Sequence, residues 1–218
     1  MRPLLISLIA LAAGAYASTG VAASDVGTRN DVRLYWGKSS DSDLTTAWAG
    51  DYSASKESAY LIGGSYGRRF SDTLFGLPIP MTWNIGMQWL NERGLQDNGF
   101  GTTAFIKAHY TWQLPYTTKE VTFGLGEGLS YVTQIPLAEQ RDFASKNGAK
   151  SENLLNYIEW TIDVPLRQFA TFEPMFHGSR IQDVSVGFIV WHRSSIYGLL
   201  AETKGGVNYM GFGVEAKF

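Results

Sequence analysis

Near its C-terminal end the chain contains a histidine and a serine whose spacing suits nucleophilic chemistry. His192 and Ser194 stand two positions apart and follow the apolar run at 188–191. If a β-strand continues through them, both side chains point to one face, and the imidazole can act as a general base for the hydroxyl. If the strand ends at Trp191 instead, the same residues are solvated at its end. The spacing alone leaves both interpretations open.

The composition narrows the classes of protein in which such a pair could work. The 218 residues include 18 Lys and Arg against 20 Asp and Glu, so the net charge of −2 provides no basic field for nucleic acid. The chain has no cysteine, which excludes a disulfide scaffold, a thiolate zinc site and a catalytic thiol. Charged residues make up 17% of the chain, below the roughly 25% of an average soluble domain, while aromatic residues reach 14%. This combination favours a membrane-embedded β-protein.

The N-terminal segment has the pattern of a secretory signal peptide. Arg2 is followed by an apolar run at 4–13, and Val21-Ala22-Ala23 places small residues at positions −3 and −1 of a cleavage site. The run is too short to cross a bilayer as a helix, which needs about 20 apolar residues. We therefore predict a signal peptide at 1–23 and a single β-barrel domain at 24–218.

Eight segments of the remaining chain alternate apolar and polar residues with the period of two that is typical of a half-buried strand. In the last of them, Met210, Phe212 and Val214 alternate with small or polar residues. Segments of about 10 residues match the length of a tilted strand that crosses a bilayer. The pattern predicts an all-β fold, an eight-stranded antiparallel transmembrane β-barrel of the outer-membrane type. The segments are 31–37, 59–70, 79–90, 100–112, 120–131, 153–164, 183–192 and 208–218.

The two faces of these strands predict two environments. The apolar face would contact lipid, with Trp and Tyr near the segment ends as in interfacial aromatic belts. The opposite face would be enclosed in a narrow barrel, where its charges could pair with one another as a structural polar plug. The charges on this face are Arg33, Lys107, His109, Glu159, Asp163, Glu215 and Lys217.

The connections fall into two classes, which orient the barrel. Short inner turns and longer outer loops are the usual asymmetry of outer-membrane barrels. Phe218 ends the alternation of the last strand, as in the C-terminal sorting signal of bacterial outer-membrane barrels. We therefore expect the bacterial outer membrane as the location and the barrel-assembly machinery as a partner during insertion. The inner connections would be 71–78, 113–119 and the unusually long 165–182, and the outer loops 38–58, 91–99, 132–152 and 193–207.

An eight-stranded outer-membrane barrel with His-x-Ser on its penultimate strand, facing lipid at the outer leaflet, resembles the PagL-type lipid A 3-O-deacylases. These belong to the broader acyloxyacyl-hydrolase-like barrels. The motif falls here on His192-Arg193-Ser194. The resemblance implies a serine esterase in which Ser194 is the nucleophile and His192 the base. It covers the whole mature chain in architecture, but in residues only this C-terminal stretch.

The group that would orient the imidazole departs from the family's pattern. The family usually has Asn after its serine, where this chain has Ser195, and its acid lies on the last strand, whose outward face begins here with Asn208. Glu202 in the preceding loop is the first candidate for the orienting role. Asn208 is the second, since an amide can hold an imidazole without a charge. Glu127, flanked by glycines in the lipid-facing phase of its strand, is a third.

The resemblance also implies the substrate, an ester-linked acyl chain of lipid A that enters sideways from the outer leaflet. Lipopolysaccharide and outer-membrane lipid are then the expected partners. Arg193 and Lys204 are expected to contact the phosphates of lipid A. Backbone N–H groups near Ser195, Gly205 and Gly206 are expected to stabilise the oxyanion. No metal ion or cofactor is implied.

The alternative belongs to another functional class. A small barrel similar to OmpX or OmpA would show the same strands and the same aromatic belts, but it would act through its extracellular loops and carry out no reaction. The arrangement of His192 and Ser194 discriminates between the two, because an esterase needs both within reach of each other on the outer wall with an acid or amide behind the imidazole.

Overall fold

The computed structural model describes residues 28–146, 149–195, 200 and 205–218, and the predicted signal peptide lies outside them. Eight strands form one closed barrel, in which each strand pairs antiparallel with its sequence neighbours and the last strand returns to pair with the first. The predicted eight-stranded antiparallel barrel is confirmed. The strands are β1 (Asn30–Ser40), β2 (Tyr60–Ser71), β3 (Met81–Asn91), β4 (Gly99–Gln113), β5 (Glu120–Val132), β6 (Leu154–Pro165), β7 (Asp183–Ser194) and β8 (Gly206–Lys217).

The outer wall of the barrel is apolar, as the alternation predicts. Large hydrophobic side chains project from it without cover by other parts of the chain. In water such a continuous apolar surface would be unfavourable, whereas lipid chains cover it at no such cost. Among the exposed side chains are Leu34, Trp36, Ile62, Trp83, Ile85, Met87, Phe100, Ile106, Phe212 and Val214.

The interior of the barrel is filled by two layers of side chains. Toward the end that carries the chain termini, Arg33 donates to Asp163 (3.1 Å) and to Glu215 (3.0 Å), and Lys107 donates to Glu159 (2.7 Å). These contacts confirm that the enclosed charges pair with one another. Toward the opposite end, which we call the loop end, an aromatic layer closes the barrel. Its rings are Phe105, Tyr157, Trp191 and Tyr209, with centroids 5.0–5.6 Å apart.

The loop end carries two short helices that the strand pattern does not predict. Helix α1 (Leu44–Trp48) lies between β1 and β2, and helix α2 (Leu137–Ala144) lies between β5 and β6. Among the described residues, no helix is long and apolar enough to cross a membrane. Both helices lie in connections between strands, and their positions relative to the barrel wall determine the shape of the candidate site.

The long connection at the terminal end, 166–182, contains two short 3-10 helices, Leu166–Gln168 and Glu173–Phe176. Its first turn folds against the neighbouring β4–β5 turn. The Gln168 side chain accepts from the Glu120 N–H (2.6 Å) and donates to the Glu120 carbonyl (3.1 Å). The extra residues thus bind two turns of the barrel to each other, which gives this unusually long inner connection a structural role.

Candidate functional site

His192 and Ser194 both lie within β7, near its loop end, and both point outward. Strand β7 continues through Ser194, so the interpretation in which the strand ends at Trp191 is wrong. The alternation of side chains places Trp191 and Arg193 inside the barrel, where both are fully buried. His192 and Ser194 line the same groove on the outer wall, but no hydrogen bond joins these two described side chains, and the imidazole bonds to Asn208 instead.

The imidazole of His192 is held by an amide on the adjacent strand. Its Nδ1 lies 2.7 Å from Asn208 Oδ1, and Asn208 Nδ2 donates to the Ser42 carbonyl at 2.6 Å. Because the amide nitrogen is occupied as a donor, the amide oxygen is the acceptor, and Nδ1 carries the proton of the neutral ring. The other ring nitrogen, Nε2, is then the one that can accept a proton. Asn208 thus occupies the orienting position, whereas Glu202 lies outside the described residues.

The side chains of His192 and Asn208 are buried although they point away from the barrel interior. His192 is 8% and Asn208 5% exposed. The loop after β1 folds back over the wall, so that Ala47 of helix α1 packs against Val190 and Met210, the outward neighbours of the pair. An imidazole and an amide are costly in direct contact with lipid chains, because lipid offers them no hydrogen bonds. The loop removes this cost and supplies the carbonyl that anchors Asn208.

A salt bridge joins the two loops that form the rim of the site. Arg141 of α2 donates to Glu57 (2.7 Å) and to Asp41 (2.6 Å), which both belong to the loop between β1 and β2. The hydrogen bond from Arg141 holds the pKa of the Glu57 carboxylate below its usual value. Nearby, Lys146 donates to Asp142 at 2.7 Å. Charge pairing therefore holds α2 against the loop that covers His192.

Between these loops and the barrel wall lies a groove of about 720 Å³. Its polar end contains His192, Ser194 and Asn208. From there it extends over the wall of β6, β5, β4 and β3, where its lining is apolar apart from Asn156 and Glu127, and one position is the small Ala108. A groove with one polar end and one apolar length fits a molecule that carries a long hydrocarbon chain on a polar group. The apolar lining residues on the wall are Ile158, Leu125, Ile106, Ala108 and Met81.

The structure does not support Arg193 as a contact for substrate phosphates. The Arg193 side chain is 0% exposed and points into the barrel, because it alternates with two outward residues. Its Nε donates to Glu139 of α2 at 2.9 Å, and its Nη2 donates to the Glu152 carbonyl at 2.9 Å. Arg193 therefore fastens α2 and its loop to the mouth of the barrel. Lys204, the other predicted phosphate contact, lies outside the described residues.

Two of the backbone donors predicted for the oxyanion, the N–H groups of Ser195 and Gly206, are already used. The Ser195 N–H donates to the Gly205 carbonyl at 3.1 Å, and the Gly206 N–H donates to Asp142 Oδ2 at 3.0 Å. Neither group is available to a developing negative charge on a substrate. The prediction of an oxyanion donor is therefore wrong for the N–H groups of Ser195 and Gly206.

Asn156 is a groove residue that the sequence analysis missed. It lies on β6 directly opposite Ser194, points outward and is 3% exposed. Its side chain interacts with the carboxylate of Glu127 on the next strand, the third candidate for the orienting role. Glu127 pairs with Ile158 of β6, which in turn pairs with His192 of β7. Because one strand separates Glu127 from His192, it does not occupy the orienting position. The signal for Asn156 was present in the sequence, since it interrupts the outward apolar phase of Leu154, Ile158 and Trp160.

The described residues offer no alternative metal-dependent site. Among residues 28–146, 149–195, 200 and 205–218, no group of three or more His, Cys, Asp or Glu side chains is placed to hold a metal ion.

Comparisons with known proteins support the fold. The crystal structure of the outer membrane enzyme PagL aligns with 85% of this chain and 97% of its own, at a TM-score of 0.50 and 11% identity. Neisserial surface protein A (NspA) aligns over 87% and 97% of the two chains, at a TM-score of 0.47 and 12% identity. The outer membrane protein OprG from Pseudomonas aeruginosa aligns over 86% and 96%, at a TM-score of 0.33 and 15% identity. No protein-family model and no curated protein matches the sequence. The likeness to PagL, described as an outer membrane enzyme, shows a shared barrel fold.

Proposed function

We propose that this protein is an esterase of the bacterial outer membrane that removes an ester-linked acyl chain from lipid A. The observation that carries the proposal is the hydrogen bond from His192 to Asn208 at the polar end of the groove, on the same outward face as Ser194. Ser194 acts as nucleophile, His192 as base and Asn208 as the group that orients the imidazole. The sequence resemblance of His192-Arg193-Ser194 to the PagL-type motif supports the same roles.

The location follows from the surface of the barrel. A ring of exposed apolar side chains surrounds the strands, and strands of 11 to 15 residues are long enough for a tilted bilayer crossing. With the loop end facing outside, the groove opens toward the outer leaflet. Lipid A is a lipid of that leaflet, so its acyl chains would reach the groove by lateral movement.

The reaction we propose is hydrolysis in two steps. His192 Nε2 takes the proton as Ser194 Oγ attacks the ester carbonyl, and the resulting imidazolium returns that proton to the leaving alkoxide oxygen when the ester C–O bond breaks. Water then attacks the acyl-serine while His192 Nε2 takes its proton, and the bond to Ser194 Oγ breaks as that proton passes to Oγ, which releases the fatty acid and restores the serine hydroxyl. The apolar length of the groove, from Ile158 to Met81, supports the binding of the acyl chain in the direction away from Ser194.

The test is the lipid A of cells that produce the protein. Mass spectra should show loss of one acyl chain with the natural sequence, and full acylation with Ser194→Ala or His192→Asn. Because these residues act as one unit, the double variant should be no worse than either single one. Thr102→Ala, which removes an exposed outward hydroxyl of β4 far from the groove, is the matched control and should retain activity.

Folding is checked in the same cells by the heat-modifiable migration of the barrel in detergent gels. Intact lipid A beside a folded barrel with the natural sequence would contradict the esterase and favour the alternative, a barrel that acts through its outer loops.

A further inference from the structure

An ester hydrolysis at Ser194 needs a donor for the oxyanion, and two backbone N–H groups next to the serine are already bonded to other acceptors. The N–H groups of Ser195 and Gly206 are bonded to Gly205 and Asp142. A negative charge that develops in an apolar groove without a donor is strongly disfavoured, because little solvent remains to stabilise it. A side chain with an N–H group, close to Ser194 and fixed in position, can supply such a donor.

Asn156 meets these conditions. It is the direct cross-strand partner of Ser194, and directly opposed residues on one face of an antiparallel pair have Cβ atoms about 4.5–5.5 Å apart. Its side chain lines the groove that contains Ser194, His192 and Asn208. An amide buried at 3% exposure on the outward face of a membrane barrel is unfavourable unless its polar atoms have partners or a function.

Glu127 gives the Asn156 amide its direction. Glu127 is the diagonal neighbour of Asn156 across β5 and β6, because Asn156 pairs with Leu129, and both side chains line the groove. A carboxylate can only accept, so a hydrogen bond between the two comes from the amide nitrogen, Nδ2. That nitrogen has two N–H bonds. Glu127 engages one of them, which leaves the second for a substrate bound at Ser194, the cross-strand neighbour of Asn156 on β7.

We infer that Asn156 is the oxyanion donor of this esterase and that Glu127 is its positioning residue, an inference that rests on the proposed function. When Ser194 Oγ forms its bond to the ester carbon, the carbonyl oxygen takes the electron pair of the C=O double bond and accepts a hydrogen bond from Asn156 Nδ2. When the ester C–O bond breaks, the pair returns to the carbonyl and His192 protonates the leaving alkoxide. The donor thus stabilises the tetrahedral intermediate without changing its own protonation.

The test uses the purified barrel in detergent with the p-nitrophenyl ester of a long-chain fatty acid. Removing one oxyanion donor from other esterases and proteases lowers kcat by roughly 10²–10³-fold. Asn156→Ala should produce a loss of this size with little change in KM, because the donor acts on the transition state. Asn156→Asp should lose at least as much, since its carboxylate repels the oxyanion.

Glu127 is tested by two variants of different chemistry. Glu127→Leu removes the acceptor and should lower kcat by less than Asn156→Ala, while Glu127→Gln keeps a carbonyl oxygen toward Nδ2 and should restore most of the activity. A role in folding alone would not produce this rescue with unchanged KM. Thr102→Ala again serves as the control with unchanged kcat.

The outcomes separate the two proposals. An active natural sequence whose kcat changes less than about threefold in Asn156→Ala, far below the loss expected for a donor, would overturn the inference and leave the esterase standing. A rise in KM with unchanged kcat would make Asn156 a substrate contact and also overturn it. A folded natural barrel without activity toward the ester and toward lipid A would overturn both.

Discussion

The base of the candidate site is oriented by a chain of two hydrogen bonds that ends on a loop. His192 Nδ1 donates to Asn208, and Asn208 donates to the carbonyl of Ser42. The amide therefore does two things: it sets the tautomer of the imidazole and it anchors the loop that covers it. In an esterase these two roles contribute differently, since the first acts on the proton transfer and the second on the shape of the groove.

Substitutions at Asn208 separate these roles. Asn208→Leu removes both hydrogen bonds, and we expect kcat for acyl release to fall by up to about 10⁴-fold, the loss seen when a triad imidazole is left in the wrong tautomer. Asn208→Asp keeps an acceptor for Nδ1 and loses only the donor to Ser42, so it should retain much more activity. Steady-state kinetics of both variants measure the difference. Equal losses of kcat in the two variants would show that activity depends on the hydrogen bond that anchors the loop at Ser42.

Alternation was sufficient to predict the outward direction of His192 and Ser194, and the same rule places Arg193 inside. The predicted phosphate contact of Arg193 rests on its charge and its neighbours in sequence, and it conflicts with the alternation of side chains along the strand. Its actual partner, Glu139, lies 54 positions away on a loop helix. Contacts between a strand end and a distant loop leave no periodic pattern, so the sequence could not indicate this pair.

The two loop helices are stable only through their contacts with other parts of the protein. Helix α1 has five residues and helix α2 has eight, and neither has a side-chain cap at its N-terminus. Isolated helices of this length are not stable in water, so packing against the barrel and charge pairing must hold them. This is why the strands could be predicted from their periodicity and the helices could not.

The loop 41–59 covers His192, and its stability should depend on pH because Glu57 in this loop pairs with Arg141. Because the folded pKa of Glu57 is lowered, its contribution to stability is present above the ordinary Glu value of 4.5 and is lost as the pH falls through the folded pKa. We expect the protection factors of amide hydrogen exchange in 41–59 to fall with acidification in that window. Exchange followed by mass spectrometry measures this segment directly.

The matched variant is Glu57→Gln, which keeps the size of the side chain and removes its charge. Its segment 41–59 should be less protected than in the natural sequence above pH 4.5 and equally protected below the folded pKa of Glu57. The strands of the barrel should exchange alike in both proteins. Parallel pH profiles for 41–59 would show that Glu57 does not hold the loop.

At the scale of the whole molecule, the filled interior ties opposite walls of the barrel together. Glu159 accepts from Lys107 (2.7 Å) and from the Tyr157 hydroxyl (2.7 Å), so it joins the charged layer to the aromatic one. Glu159→Leu leaves Lys107 buried without this partner, which should destabilise the barrel by about 3–5 kcal/mol. Urea unfolding in detergent, followed by gel migration, measures the change.

The control for this variant is the double change Lys107→Leu with Glu159→Leu. Replacing both members of a buried ion pair by apolar residues is often close to neutral, so the double variant should recover much of the lost stability. A single variant as stable as the natural sequence would mean that Glu159 is solvated within the barrel. The alternation predicted which charges are enclosed, but the pairing of particular residues follows from the register of the closed barrel.

The two interior layers also determine what the barrel does to the permeability of a membrane. Ion-paired side chains occupy one end of the lumen and stacked rings the other. Ions and nutrients need a continuous column of water to cross, and this packing interrupts it. A cell could therefore carry many copies without weakening the barrier against small toxic solutes. In the esterase that we propose, the substrate reaches the site along the outer wall, in the plane of the lipid.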